Sequence, residues 1–146
     1  MSFDAFETQA LEMLGAGDDP LLSIVRAQLA ACRVRERESS ELGRLTDLWV
    51  EDGVPLCEVT DRFSIDDLFC RVEGLEESAQ ILLHFNRGRI ATLEAFVAEG
   101  PWPEEPTAVE MWYVAPDDDD AGQLARVDAR DLDFATRGPR RAGEEI

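Results

Sequence analysis

Ala79-Gln80-Ile81-Leu82-Leu83-His84-Phe85, Asn86-Arg87-Gly88, then Arg89-Ile90-Ala91-Thr92-Leu93-Glu94-Ala95-Phe96-Val97 is the stretch whose reading decides the fold. Ile81, Leu83 and Phe85 recur at the two-residue period of a strand and share one face, which turns His84 to the other. Gly88 accepts the positive φ that a tight turn needs, so the stretch predicts a β-hairpin. Working outward, Phe63 to Leu75 contains a strand around Leu68-Phe69-Cys70-Arg71-Val72. Leu42 to Val50 is a weaker strand candidate, and Ala108 to Val114 is a further one. Arg33 to Glu38 alternates in sign, as an exposed strand or a helix end does. Asp52-Gly53, Pro55 and Gly100-Pro101-Trp102-Pro103 punctuate these runs. Successive strands joined by short turns imply a mainly antiparallel sheet.

The first part of the chain has the helical period. Phe3, Phe6, Ala10, Met13 and Leu14 form one apolar face of a helix over residues 4–14, which Gly15-Ala16-Gly17 ends. Asp18-Asp19-Pro20 reads as a cap followed by proline in the first helical turn, and a second helix runs to about Ala31. Leu21, Leu22, Val25, Leu29 and Cys32 make its apolar stripe. The expected fold class is therefore α+β: two N-terminal helices packed on a mainly antiparallel β-sheet of about five or six strands. Residues 1–136 form the single domain; 137–146 read as a polar, mobile tail. After Pro116 comes an aspartate run, then a weakly helical stretch and Asp131-Leu132-Asp133-Phe134, whose apolar pair can dock on the body.

The 146 residues carry 32 acidic and 14 basic side chains, a formal net charge of -18, and every basic residue is arginine. Contact with a nucleic-acid backbone is disfavoured, because phosphate binding requires a cationic surface. A basic protein partner is favoured, since an acidic field raises its association rate; solubility alone is the competing explanation. No apolar run approaches the roughly 20 residues of a membrane helix. The N-terminus lacks the basic start and apolar segment of a signal peptide, so a cytoplasmic location without membrane contact is expected. Cys32, Cys57 and Cys70 form no C-x-x-C pair, and His84 is the lone histidine. They read as reduced thiols, and neither a metal nor another cofactor is expected.

No catalytic residue is assigned. His84 has no nucleophile motif near it in sequence and reads as structural or surface-exposed. Asp66-Asp67, Glu76-Glu77 and Glu104-Glu105 can each be drawn as an acid–base pair, but so acidic a chain supplies such pairs by composition alone. Glu94 lies within an apolar strand: outward it is ordinary, inward it needs a partner such as arginine. Asp117-Asp118-Asp119-Asp120 lacks the alternating ligands, glycine and distal glutamate of an EF-hand loop, and reads as a solvated acidic loop. Among the aromatics, Trp102 between prolines is the one expected to be partly exposed; Trp49 and Trp112 are expected in the core.

Ala10-Leu11-Glu12-Met13-Leu14-Gly15-Ala16-Gly17-Asp18-Asp19-Pro20, with Leu22 and Arg26-Ala27-Gln28-Leu29, resembles the opening of a group of uncharacterised small acidic bacterial proteins. Gly88-Arg89-Ile90, Leu93-Glu94-Ala95-Phe96 and Trp102-Pro103 are similar to the same group's C-terminal hairpin. Ala95 stands where the group has glycine, and the middle from Glu36 to Thr60 departs from it. The resemblance covers about half the chain; it implies fold boundaries and transfers no activity.

These readings favour an acidic cytoplasmic binding protein, in its concrete form an immunity protein that neutralises a basic bacterial toxin by occlusion. Its expected partner-binding residues are Trp102, Glu104, Glu105, Asp117, Asp118, Asp119 and Asp120. The alternatives are a small-ligand-binding or carboxylate-based enzyme with its site between helices and sheet, and a homodimeric structural protein.

Overall fold

The computed structural model describes residues 2–144, with side chains through residue 140. Helix α1 (Ala5–Leu14) opens on a capping box. The Asp4 carboxylate accepts from the Glu7 amide at 2.8 Å, and the Glu7 carboxylate accepts from the Asp4 amide at 2.9 Å. Helix α2 (Pro20–Ala30) starts with Asp19, which accepts from the Leu21 amide at 2.8 Å, and with proline where no amide donor is needed.

Seven strands follow: β1 (Cys32–Ser40), β2 (Gly43–Val50), β3 (Phe63–Val72), β4 (Ala79–Asn86), β5 (Arg89–Phe96), β6 (Ala108–Pro116) and β7 (Leu124–Val127). They make one sheet in the order β1-β2-β5-β4-β3-β6-β7, with every neighbouring pair antiparallel. The α+β class and the helices over an antiparallel sheet are as expected, but the described residues form seven strands instead of five or six. β7 lies in the stretch read as weakly helical. It forms because Leu124–Val127 pairs with Tyr113–Pro116, and pairing with an established strand overrides a weak local preference. The chain ends in α3 (Leu132–Ala135) and α4 (Arg137–Glu144). Within the stretch read as a mobile tail, Arg137–Glu144 is helical and Pro139 is buried; residues 145 and 146 lie outside the described residues.

The β4–β5 turn is two residues long, with Arg87 at φ 55° and Gly88 at φ 79°. A Cβ at 88 would also lie 2.6 Å from the Cys57 carbonyl oxygen, so glycine is required there twice over. Ile81, Leu83 and Phe85 point to one face with Ile65, Leu68 and Leu93, and pack against Leu14, Leu22 and Val25 of α1 and α2. Gln28, which is not on the expected apolar stripe of α2, is fully buried. Its side chain donates to the carbonyls of Pro55 and Gly88 and accepts from the Ile90 amide, each at 2.9 Å, tying α2 to the hairpin.

Two buried carboxylates complete the framework, and both face arginine. Glu7 is fully buried and receives Arg37 at 2.7 and 2.5 Å and the Thr46 hydroxyl at 2.9 Å, with Arg44 3.7 Å away. In β3, the register passes from Ile65 opposite Leu83 to Leu68 opposite Ile81, so Asp66 and Asp67 bulge together. Asp67 turns inward and is gripped on both oxygens by Arg130, at 2.9 and 2.8 Å. Arg130 also donates to the carbonyls of Met13, Leu14 and Ala16 at the end of α1. Asp66 pairs with Arg137 at 2.8 Å. The adjacent aspartates that could be drawn as an acid–base pair therefore each hold an arginine of the C-terminal segment.

Removing one member of a buried pair strands the other. Arg130→Met is expected to cost about 3–5 kcal/mol in urea unfolding, with Asp67→Asn/Arg130→Met recovering part of the loss. For Glu7, burial alone would raise the carboxyl, but the hydrogen bonds from Arg37, Asp4 and Thr46 and the charge of Arg44 outweigh it and hold it below its ordinary 4.5. A carboxylate depressed by folding stabilises fully above its unfolded value and loses that contribution as pH falls through its folded value. The stability gap between the wild type and Glu7→Gln should thus be widest near neutrality and close as urea titrations are repeated below pH 4.5.

Candidate functional site

The helices lie on the face that carries Ile81, Leu83 and Phe85, and strand alternation sends the intervening residues to the opposite face. No described helix covers that face. Three rows of neighbours cross it. In the first, Glu38, Leu45, Glu94 and Leu82 stand side by side across β1, β2, β5 and β4. In the second, Glu36, Asp47, Thr92, His84 and Ser64 run from β1 to β3. The third sets Phe96 beside Gln80, Phe69 and Trp112. Leu45 and Phe96 are 41% and 39% exposed, against near-zero values for the core residues on the helix side. Four carboxylates, Glu36, Glu38, Asp47 and Glu94, therefore surround an exposed leucine.

Hydrogen bonds run along the second row and link it to the first through Glu94. Ser64 Oγ lies 2.6 Å from His84 Nδ1, and His84 Nε2 lies 2.8 Å from Glu94 Oε1. An ionised Glu94 carboxylate only accepts, so Nε2–H faces it; in the neutral ring Nδ1 is then left to accept from the Ser64 hydroxyl. Thr92 donates to Asp47 at 3.3 Å. A cleft of about 500 Å³ opens over this row, with Leu45, Asp47, Arg62, Ser64, His84 and Thr92 in its lining. Glu94 points outward, as an ordinary strand glutamate does, but its partner is the histidine and not an arginine.

The expected partner-binding residues do not come together. Glu104 and Glu105 precede β6, whereas Asp117, Asp118, Asp119 and Asp120 follow it. Nine strand residues separate the groups, which at the rise of a β-strand is roughly 30 Å. Trp102 is buried, not partly exposed as expected: its ring meets Phe6 edge-on at 5.9 Å and closes the core at the start of α1. Trp49 and Trp112 are half-buried instead of in the core, each under an arginine: Arg33 at 4.4 Å and Arg126 at 5.3 Å. Burial pushes the thiols of Cys32, Cys57 and Cys70 up to about 11, so each stays protonated at neutral pH. Among the described residues there is no group of three or more histidine, cysteine or acidic side chains placed to hold a metal ion. No helix among them is long and apolar enough to cross a membrane.

Sequence reasoning passed over Ser64, Asp47 and Thr92. Their outward parity was readable from strand alternation, but their alignment with His84 depends on register and on irregularities at Ile65/Leu68 in β3 and near Ile90 in β5. Set against protein-family models, curated proteins and solved structures, the chain matches none.

Proposed function

We propose that this chain is an acidic binding protein that docks a basic partner protein on the uncovered face of its sheet. An immunity protein that occludes a toxic enzyme is the concrete form. The observation that carries the reading is the exposed Leu45 and Phe96 on a face rimmed by Glu36, Glu38, Asp47 and Glu94. Apolar residues grouped on an open face mark contact surfaces. Here Leu45, Phe96 and Leu82 supply a centre that gains by losing water, and the carboxylates around them favour cationic side chains. The net charge of -18 adds a long-range field that speeds the approach of a positive protein. Glu104, Glu105 and Asp117 to Asp120 contribute to that field from outside the contact area.

The test is affinity isolation from the native cell at low salt, followed by identification and binding measurements with the purified partner. A basic protein is expected, with an association rate falling at least tenfold between low and high salt. Leu45→Lys/Phe96→Lys should weaken binding roughly 30-fold or more, the effect of losing about 2 kcal/mol at an anchor. Recovery of only acidic proteins, of none, or of a partner indifferent to the double substitution would overturn the reading.

A further inference from the structure

The geometry points to a second property of the same face, independent of docking: Ser64 is an activated nucleophile for small acyl esters, with His84 its general base and Glu94 the positioning residue of the imidazole. The three side chains form an uninterrupted relay, 2.6 Å from Ser64 Oγ to His84 Nδ1 and 2.8 Å from His84 Nε2 to Glu94 Oε1. They come from three adjacent strands, β3, β4 and β5, so their spacing is held by the sheet and not by a loop. His84 and Glu94 are each about one-third exposed, and Ser64 and His84 line a cleft of about 500 Å³ that suits a small molecule. Arg62, on the same cleft, has no carboxylate within ion-pair distance among the described residues. Its guanidinium is free to meet a carbonyl oxygen as negative charge builds there.

The chemistry follows from these positions. Ser64 Oγ attacks the ester carbonyl carbon as its proton passes to His84 Nδ1, while Nε2–H remains bonded to the Glu94 carboxylate. The tetrahedral intermediate collapses, the carbon–oxygen bond to the alcohol breaks, and the alcohol leaves with the proton from Nδ1. Water then attacks the acyl-Ser64 ester with His84 again as base, releasing the carboxylic acid and restoring the hydroxyl. Ester and water are consumed, and acid and alcohol are formed; no cofactor is involved.

A fluorophosphonate probe reads the nucleophile directly, since the serine oxygen displaces fluoride and a stable phosphorus–oxygen bond remains. The full chain incubated at pH 8 should gain one adduct by intact mass, mapped to Ser64, and should hydrolyse p-nitrophenyl acetate. Ser64→Ala should take no adduct. His84→Gln should react roughly 100-fold more slowly, the usual contribution of a general base. Glu94→Gln should slow labelling while Glu94→Asp retains part of the rate, with melting temperatures unchanged. An unlabelled wild type, an adduct elsewhere, or wild-type rates in His84→Gln would overturn the assignment. The wild-type result stands even where a variant fails to fold, and none of these outcomes bears on partner docking.

Discussion

Arg130 holds together three parts of the chain that strand pairing leaves unconnected. Its guanidinium grips both oxygens of Asp67 in the middle of the sheet, and one of its nitrogens collects the last carbonyls of α1. The ring of Tyr113 lies beneath it at 4.8 Å, and the Tyr113 hydroxyl donates to the Met13 carbonyl at 2.6 Å. A helix end buried against a sheet has carbonyls with no intrahelical partner. A buried aspartate has charge with no solvent. One planar cation satisfies both needs, and that is why the segment after β7 returns to the helix side of the sheet.

The same solution recurs at the other end of α1. Glu7 serves its own capping box and at the same time receives Arg37 and Thr46 from β1 and β2, so one residue fixes where the helix starts and where it sits on the sheet. A chain with no lysine is well suited to this arrangement. A guanidinium offers five donors in a rigid fork, matches a carboxylate on two oxygens and keeps its charge when buried. The arginine-only composition thus has a structural consequence in the core.

The hairpin, both N-terminal helices with the aspartate cap of the second, and the antiparallel sheet were legible because each depends on local pattern: alternation, helical period, or a turn residue. What was not legible depends on partners distant in sequence. Gln28 looks like a polar residue on a helix until the hairpin carbonyls arrive beside it. β7 has no strand signal of its own and exists because β6 offers an edge. Ser64 meets His84 only after the pair of bulged aspartates sets the register of β3 against β4. Trp102 was misplaced because flanking prolines suggest a loop, while the apolar edge of Phe6 at the start of α1 draws the indole inward.

The distribution of charge bears on what the uncovered face can meet. Exposed Leu45 and Phe96 on an open sheet would ordinarily favour association with a second copy. Here two copies brought face to face would set Glu36, Glu38, Asp47 and Glu94 of one against the same residues of the other, inside two fields of net charge -18. Desolvating like charges against each other opposes the apolar gain. The carboxylates thus oppose pairing of the face with its own copy and, under the proposed reading, favour a surface of opposite sign. Under the docking proposed above, the acidic rim would discriminate by charge and the apolar centre would reward only a partner that the rim admits.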